Sequence, residues 1–203
     1  MTTVEQVARE IVAREGGWAN DLADPGGATN HGVTLSTLRR VRMDLTGDGR
    51  VTEADLRRLS PDQAAQVFIQ HYYRAPRIDE LPEVLQPSVF DMQVNAGAQA
   101  IRLLQKLLAD MGQPCDVDGV LGPRTIAAAR AAAALAPDHI ADAYGIARRN
   151  YYYALGDARP ASRKFCRRRD GGKGGWIVRA EAFISPAYHL TDAQHRARTA
   201  AWA

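Results

Sequence analysis

The feature that most restricts the fold is a helical hydrophobic repeat, started and stopped several times by capping residues, proline and glycine. Val4, Val7, Ala8, Ile11 and Val12 share one helix face, with Thr2 and Glu5 in capping-box relation. Gly16-Gly17 ends that helix. Residues 18–34 are rich in Gly, Asp and Asn and contain Pro25, which predicts a loop with a short β-hairpin. Ser60-Pro61-Asp62-Gln63 is a helix start, with Pro at the first helical position and Gln at N3. That helix carries Ala64, Val67, Phe68 and Tyr72 and must end before Pro76. The three prolines of 76–87 predict a connection between lobes, and Ser88 with Asp91 is expected to cap the helix that follows. Further helices are expected through Ile101–Leu108, from Pro123, and from Pro137 to Tyr151-Tyr152-Tyr153. Gly112–Gly122 and Gly171–Gly175 are expected loops. The chain therefore reads as mainly α with a small β element.

Composition sets bounds on function. The 203 residues are 46% hydrophobic and 24% charged, enough to bury a core and too apolar for a disordered chain. No stretch approaches the ~20 apolar residues that cross a bilayer, so no membrane span is expected. Residues 1–8 show no basic and apolar leader pattern, which predicts synthesis in the cytoplasm without a Sec signal peptide. Charge is uneven: residues 148–203 carry twelve Lys/Arg against four Asp/Glu, net +8, and the rest is −5. A basic C-terminal third suits an anionic polymer, or is simply a solvated face. Cys115 and Cys166 have no metal-site or redox-motif spacing, and their pairing is left open. The five histidines show no ligand spacing either.

The chemistry is concentrated near the first helix. Glu15-Gly16-Gly17-Trp18 is followed by Asp24-Pro25-Gly26-Gly27-Ala28-Thr29-Asn30 and then Gly32-Val33-Thr34. A glutamate ends an apolar helix and an aspartate follows in a glycine-rich loop. Glycosidic cleavage needs such a pair: one carboxyl group protonates the leaving oxygen, the other orients water or supports positive charge on the sugar. A glutamate at the end of a buried helix is expected to be partly desolvated, which favours its acid form.

This run resembles glycoside hydrolase family 108, N-acetylmuramidases of phage lysis cassettes and bacterial secretion loci, and every motif position matches. The resemblance implies a lysozyme-like catalytic lobe, Glu15 as general acid, and supporting roles for Asp24 and Thr29. Trp18, Asn30, His31 and Thr34 become candidate substrate contacts. The spacing of Glu15, Asp24 and Thr29 is also similar to that of phage lysozymes, with one residue fewer between Asp and Thr. The implied reaction is hydrolysis of the β-1,4 bond between N-acetylmuramic acid and N-acetylglucosamine, inverting or retaining. A lytic transglycosylase and a non-catalytic wall-binding or secretion-assisting protein are the alternatives. The implied partner is bacterial peptidoglycan, with no nucleic acid, met by a monomer after holin-type release or dedicated secretion.

A second pattern, Asp44 to Asp55, has the form of an EF-hand-type loop. Side-chain oxygens stand at positions 1 (Asp44), 3 (Thr46), 5 (Asp48) and 12 (Asp55), with Gly49 at the turn and the Arg50 carbonyl as a further ligand. It is similar to the dockerin variety, which ends in Asp. The expectation is that no cofactor is needed for chemistry and that a structural Ca²⁺ sits here; the alternative is a Gly-Asp-Gly turn that caps a helix at Thr52.

The second half resembles the predicted peptidoglycan-binding domain that follows the catalytic motif in the same family. The matching stretches are Phe90–Gly97, Leu104–Leu108, Asp116–Thr125 and Gly175–Arg179. Tyr151–Tyr153 and Trp176 could stack on sugars, although aromatic residues at such spacing are more often core. The expected division is a catalytic lobe over 1–87 and a helical lobe over 88–203.

Overall fold

The computed structural model describes residues 3–19 and 28–202. Helix α1 (Val4–Glu15) buries Val7, Ala8, Ile11 and Val12, as the repeat predicts. Its capping box is Thr3 with Gln6, one position later than Thr2 with Glu5: the Gln6 N–H donates to Thr3 Oγ1, and the Thr3 N–H donates to Gln6 Oε1. Both pairs have the same i,i+3 spacing, so sequence alone does not choose between them. Gly16, at φ +79°, ends the helix in a conformation other residues resist.

A two-stranded antiparallel sheet follows, β1 (Thr29–Asn30) against β2 (Val33–Thr34). Its two-residue turn, His31-Gly32, has positive φ at both positions (52° and 75°), the handedness that matches strand twist. Ala19 exchanges backbone hydrogen bonds with Thr29 at 2.9 and 2.8 Å, so the end of the α1 segment is tied to the hairpin. Thr34 then caps α2 (Leu35–Arg40), accepting from the Thr37 N–H at 3.1 Å.

Thr52 and Asp55 form the capping box of α3 (Glu53–Arg58), and Ser60 with Gln63 forms that of α4 (Pro61–Phe68). Helix α4 widens into a π-helical turn at Ile69–Arg74 before Pro76 ends it. The next long helix, α5 (Gln86–Ala96), starts earlier than expected, with Pro87 in its first turn and no side-chain cap. Ser88 and Asp91 are not caps; both are buried inside α5. Helices α6 (Gln99–Asp110), α7 (Pro123–Leu135), α8 (Ile140–Ala158), α9 (Arg163–Cys166), α10 (Gly175–Glu181) and α11 (Asp192–Arg198) complete the chain.

The buried apolar side chains form one continuous cluster from Val7 to Ala180. Helix α5 is the reason: it packs on α1 on one side and on α6 and α8 on the other. The expected division at 87/88 falls inside its first turn. Fully buried Val89, Phe90 and Met92 join the two halves, each side chain stabilising by about 1.5–3 kcal/mol on burial. No helix among the described residues is long and apolar enough to cross a membrane.

Charge seals the same junction. Asp91 of α5 and Arg148 of α8 are both fully buried and ion-paired. Arg179 of α10 donates from Nε to both Asp91 oxygens at 2.9 and 2.8 Å. Arg14, in the last turn of α1, lies 3.5 Å from the same carboxylate. Burial opposes ionisation of Asp91, but Arg148 and Arg179 outweigh it and hold the carboxyl below its usual range.

Candidate active site

Glu15 is the last residue of α1, where the helix meets the hairpin. The hairpin comes so close that a Cβ on Gly32 would lie 2.7 Å from both Cβ and Cγ of Glu15 and 3.3 Å from the Phe68 ring. Gly32 therefore serves twice: it adopts a positive φ, and it lets backbone pack directly on the glutamate side chain. His31, beside it, is 3.1 Å through Nδ1 from the Gly16 carbonyl, so that nitrogen carries the proton and the turn is pinned to the end of α1. The described residues leave Glu15 exposed, contrary to the expected partial desolvation. The apolar face of α1 is complete at Val12, and Glu15 projects beyond it.

The other candidates separate into three groups. Thr29 is half-buried in β1, directly opposite Thr34, with its backbone paired to Ala19. Trp18 is half-buried with the Arg57 guanidinium 3.9 Å from its ring centroid, a cation–π contact with α3 that no sequence signal foretells. Asn30 and Thr34 have side chains engaged within the fold. Asn30 is buried, and its side-chain amide donates to the Leu56 and Leu59 carbonyls at 2.9 and 3.3 Å. It holds the hairpin on α3 and has no donor left over for substrate. The Thr34 hydroxyl is engaged as the α2 cap and with Ser36 at 2.8 Å. Asp24 lies outside the described residues.

The Asp44–Asp55 loop turns its carboxylates on itself. Asp55 Oδ1 accepts from the Leu45 and Thr46 N–H groups at 2.7 and 2.8 Å, and Oδ2 from the Thr52 N–H and hydroxyl at 2.7 and 3.0 Å. Two donors on each oxygen saturate a carboxylate. The Thr52 N–H above all, then those of Thr46 and Leu45, outweigh desolvation and hold the Asp55 carboxyl far below its usual range. Asp44 accepts from the Thr46, Gly47 and Gly49 N–H groups, and Asp48 from that of Arg50. Among the described residues no three acid, His or Cys side chains converge on a cation position. As folded, this donor set does not fit calcium: both oxygens at position 12 are already taken by two hydrogen bonds each, which an ion would have to displace. Asp55→Ala should therefore lower Tm by several degrees, equally in calcium and in chelator, as read by thermal melts. A wild-type Tm that rises with calcium would show that the loop rearranges around the ion.

In the second half, fully buried Gln105 explains much of the expected sugar-binding motif in structural terms. Its Nε2 donates to Asp118 Oδ1, the Val120 carbonyl and Thr125 Oγ1, and its Oε1 accepts from the Gly119 N–H at 2.9 Å. One side chain thus folds the loop from Asp118 to Thr125. Tyr152 and Tyr153 are core. Cys115 and Cys166 are both free thiols. An open cavity of about 850 Å³, edged by Glu5, Tyr73, Asp79, Glu83, Asp138 and Asp142, lies at the opposite end of α1. The ten residues from Glu5 to Glu15 separate it from the candidate site by about 15 Å.

Residues 8–97 match the family model described as Glycosyl hydrolase 108. This stretch is a glycosyl hydrolase 108 domain. It ends with α5, beyond the expected boundary at 87. Residues 99–181 match a model described as Predicted Peptidoglycan domain, which makes peptidoglycan the partner of the glycosyl hydrolase. A solved structure, that of Brucella abortus SagA, aligns with a TM-score of 0.57 at 26% identity, over 98% of this chain and 94% of that one. The likeness thus extends over the glycosyl hydrolase 108 domain and the helical half alike. No curated protein matches the chain. The chain is a peptidoglycan hydrolase of mainly helical, lysozyme-like fold.

Proposed function

We propose that this hydrolase is an N-acetylmuramidase, cleaving the β-1,4 bond between N-acetylmuramic acid and N-acetylglucosamine with Glu15 as general acid. The observation that carries the reading is the packing of the Gly32 backbone on the Glu15 side chain at the junction of α1 and the hairpin. Glu15 is thereby positioned on regular elements, as a proton donor must be. Ala19, four residues after Glu15, is hydrogen-bonded to Thr29, which ties the end of the α1 segment to the hairpin beside the glutamate. Asp24 as the second carboxylate is carried by the motif of the sequence. Thr29 assists in placing the attacking water. The enzyme acts as a monomer on the cell wall after release or secretion from the cytoplasm.

Mass spectrometry of fragments released from purified peptidoglycan tests this reading. The expected products end in reducing N-acetylmuramic acid. Anhydro-muramic ends would replace hydrolysis by lytic transglycosylation, reducing N-acetylglucosamine ends would move the cut to the other glycosidic bond, and wall binding with no fragments would make the chain non-catalytic.

A further inference from the structure

Within the segment that matches the peptidoglycan domain, three aromatic rings stack in a row from core to surface. Tyr152 is buried, its hydroxyl held by Asn95 at 2.6 Å. Trp176 lies on it, with centroids 5.0 Å apart and planes at 26°. Phe165 lies on Trp176, at 4.6 Å and 24°, and is 42% exposed. The exposed ring thus sits on an aromatic support that continues into the core.

The support is rigid for a backbone reason. Phe165 belongs to α9 and Trp176 to α10, and the two are clamped where Gly174 donates its N–H to the Cys166 carbonyl at 2.7 Å. A Cβ at position 174 would lie 2.5 Å from the Phe165 carbonyl oxygen, so only glycine permits this approach. The ring is thus presented in one orientation at little entropic cost on binding. Its surroundings are cationic. Arg163, Lys164, Arg167, Arg168 and Arg169 stand within four residues of Phe165, and the Lys164 ammonium lies over its ring, 5.0 Å from the centroid, on a flexible stem that an incoming sugar would displace.

We infer that Phe165, backed by Trp176, is a stacking platform for the sugar rings of the peptidoglycan glycan strand, with the flanking Lys and Arg residues facing the carboxylates of its peptides. The apolar C–H face of a pyranose ring complements an aromatic face, and the acidic stems complement the net +8 of the C-terminal third. The assignment rests on peptidoglycan being the partner, and it locates recognition on the glycan, at side chains other than those of the Glu15 site. Bases of single-stranded nucleic acid would also stack on such a ring; the neighbouring glycosyl hydrolase 108 domain favours the glycan.

The test is sedimentation of the full chain, carrying Glu15→Gln to prevent digestion, with purified peptidoglycan and with chitin, a neutral polymer of N-acetylglucosamine. Phe165→Leu should weaken binding to both by about tenfold, while Phe165→Trp should stay within about twofold of the parent. Circular dichroism establishes that each variant is folded. The pair Arg168→Gln and Arg169→Gln should weaken binding to peptidoglycan at low salt and leave chitin binding unchanged; this second variant holds the test even if Phe165→Leu fails to fold. If the parent binds peptidoglycan and folded Phe165→Leu binds it equally well, the platform is wrong while the peptidoglycan reading stands. A parent that binds neither polymer overturns both. Loss restricted to single-stranded DNA binding would assign the surface to nucleic acid instead.

Discussion

Glu15→Gln should leave the chain folded and reduce release of reducing sugar from peptidoglycan by about 10²–10⁴-fold, the usual contribution of a positioned general acid. Glutamine retains the Cβ and Cγ atoms that pack on Gly32, so the hairpin contact survives and only the transferable proton is lost. A companion variant separates positioning from chemistry. Gly32→Ala keeps the carboxyl group but inserts a methyl group 2.7 Å from Glu15, at a φ of +75° that alanine resists. It should lower kcat more than it raises KM. A folded Glu15→Gln enzyme that clears walls at the parent rate would remove Glu15 from the mechanism.

The largest effect on stability is expected at Asp91. Asp91→Asn preserves shape but leaves the fully buried Arg148 without its counter-charge, and removing one partner of a buried pair costs about 3–5 kcal/mol. For a chain of this size that corresponds to a fall in Tm of about 10 °C. The sign of the pH dependence follows from the depressed pKa. The contribution of Asp91 is fully present above the unfolded-state value near 3.9 and is lost as pH falls through the lower folded value. The parent should therefore unfold in acid below about pH 4, and Asp91→Asn should flatten that limb. Because Arg14 touches the same carboxylate one residue before Glu15, the variant should also lose activity at temperatures where it remains folded. A variant melting within about 2 °C of the parent, with an unchanged acid limb, would show that the arginines compensate one another.

Local rules were sufficient wherever a few adjacent residues determine the outcome. Ser60-Pro61-Asp62-Gln63 starts a helix, Gly16 stops one, and the stretch 18–34 holds a short hairpin, because caps, prolines and turn residues act over three or four residues. The place of Glu15 at the end of α1 was legible for the same reason. Asp91, Asn30, Thr34, Gln105 and Asp55 were not. Each is a polar residue whose local pattern suits a cap, a sugar contact or a metal ligand, and only packing decides which partner it meets. Asp91 fits an N-cap pattern with Ser88 until α8 and α10 bring Arg148 and Arg179 to it from 57 and 88 residues away. Asn30 follows the motif as a candidate sugar contact, and only α3 supplies the two carbonyls that its amide meets in the fold. Asp55 completes a calcium-loop pattern, yet the loop closes so that its four hydrogen-bond sites meet backbone and hydroxyl donors. Sequence by itself determined the long helices with clear starts and stops and the short hairpin, since those are short-range properties; the short helices α2, α9, α10 and α11 carried no such signal. The tertiary structure decided which buried polar groups satisfy one another, since an unpaired polar group is costly to bury and its partner can come from anywhere in the chain.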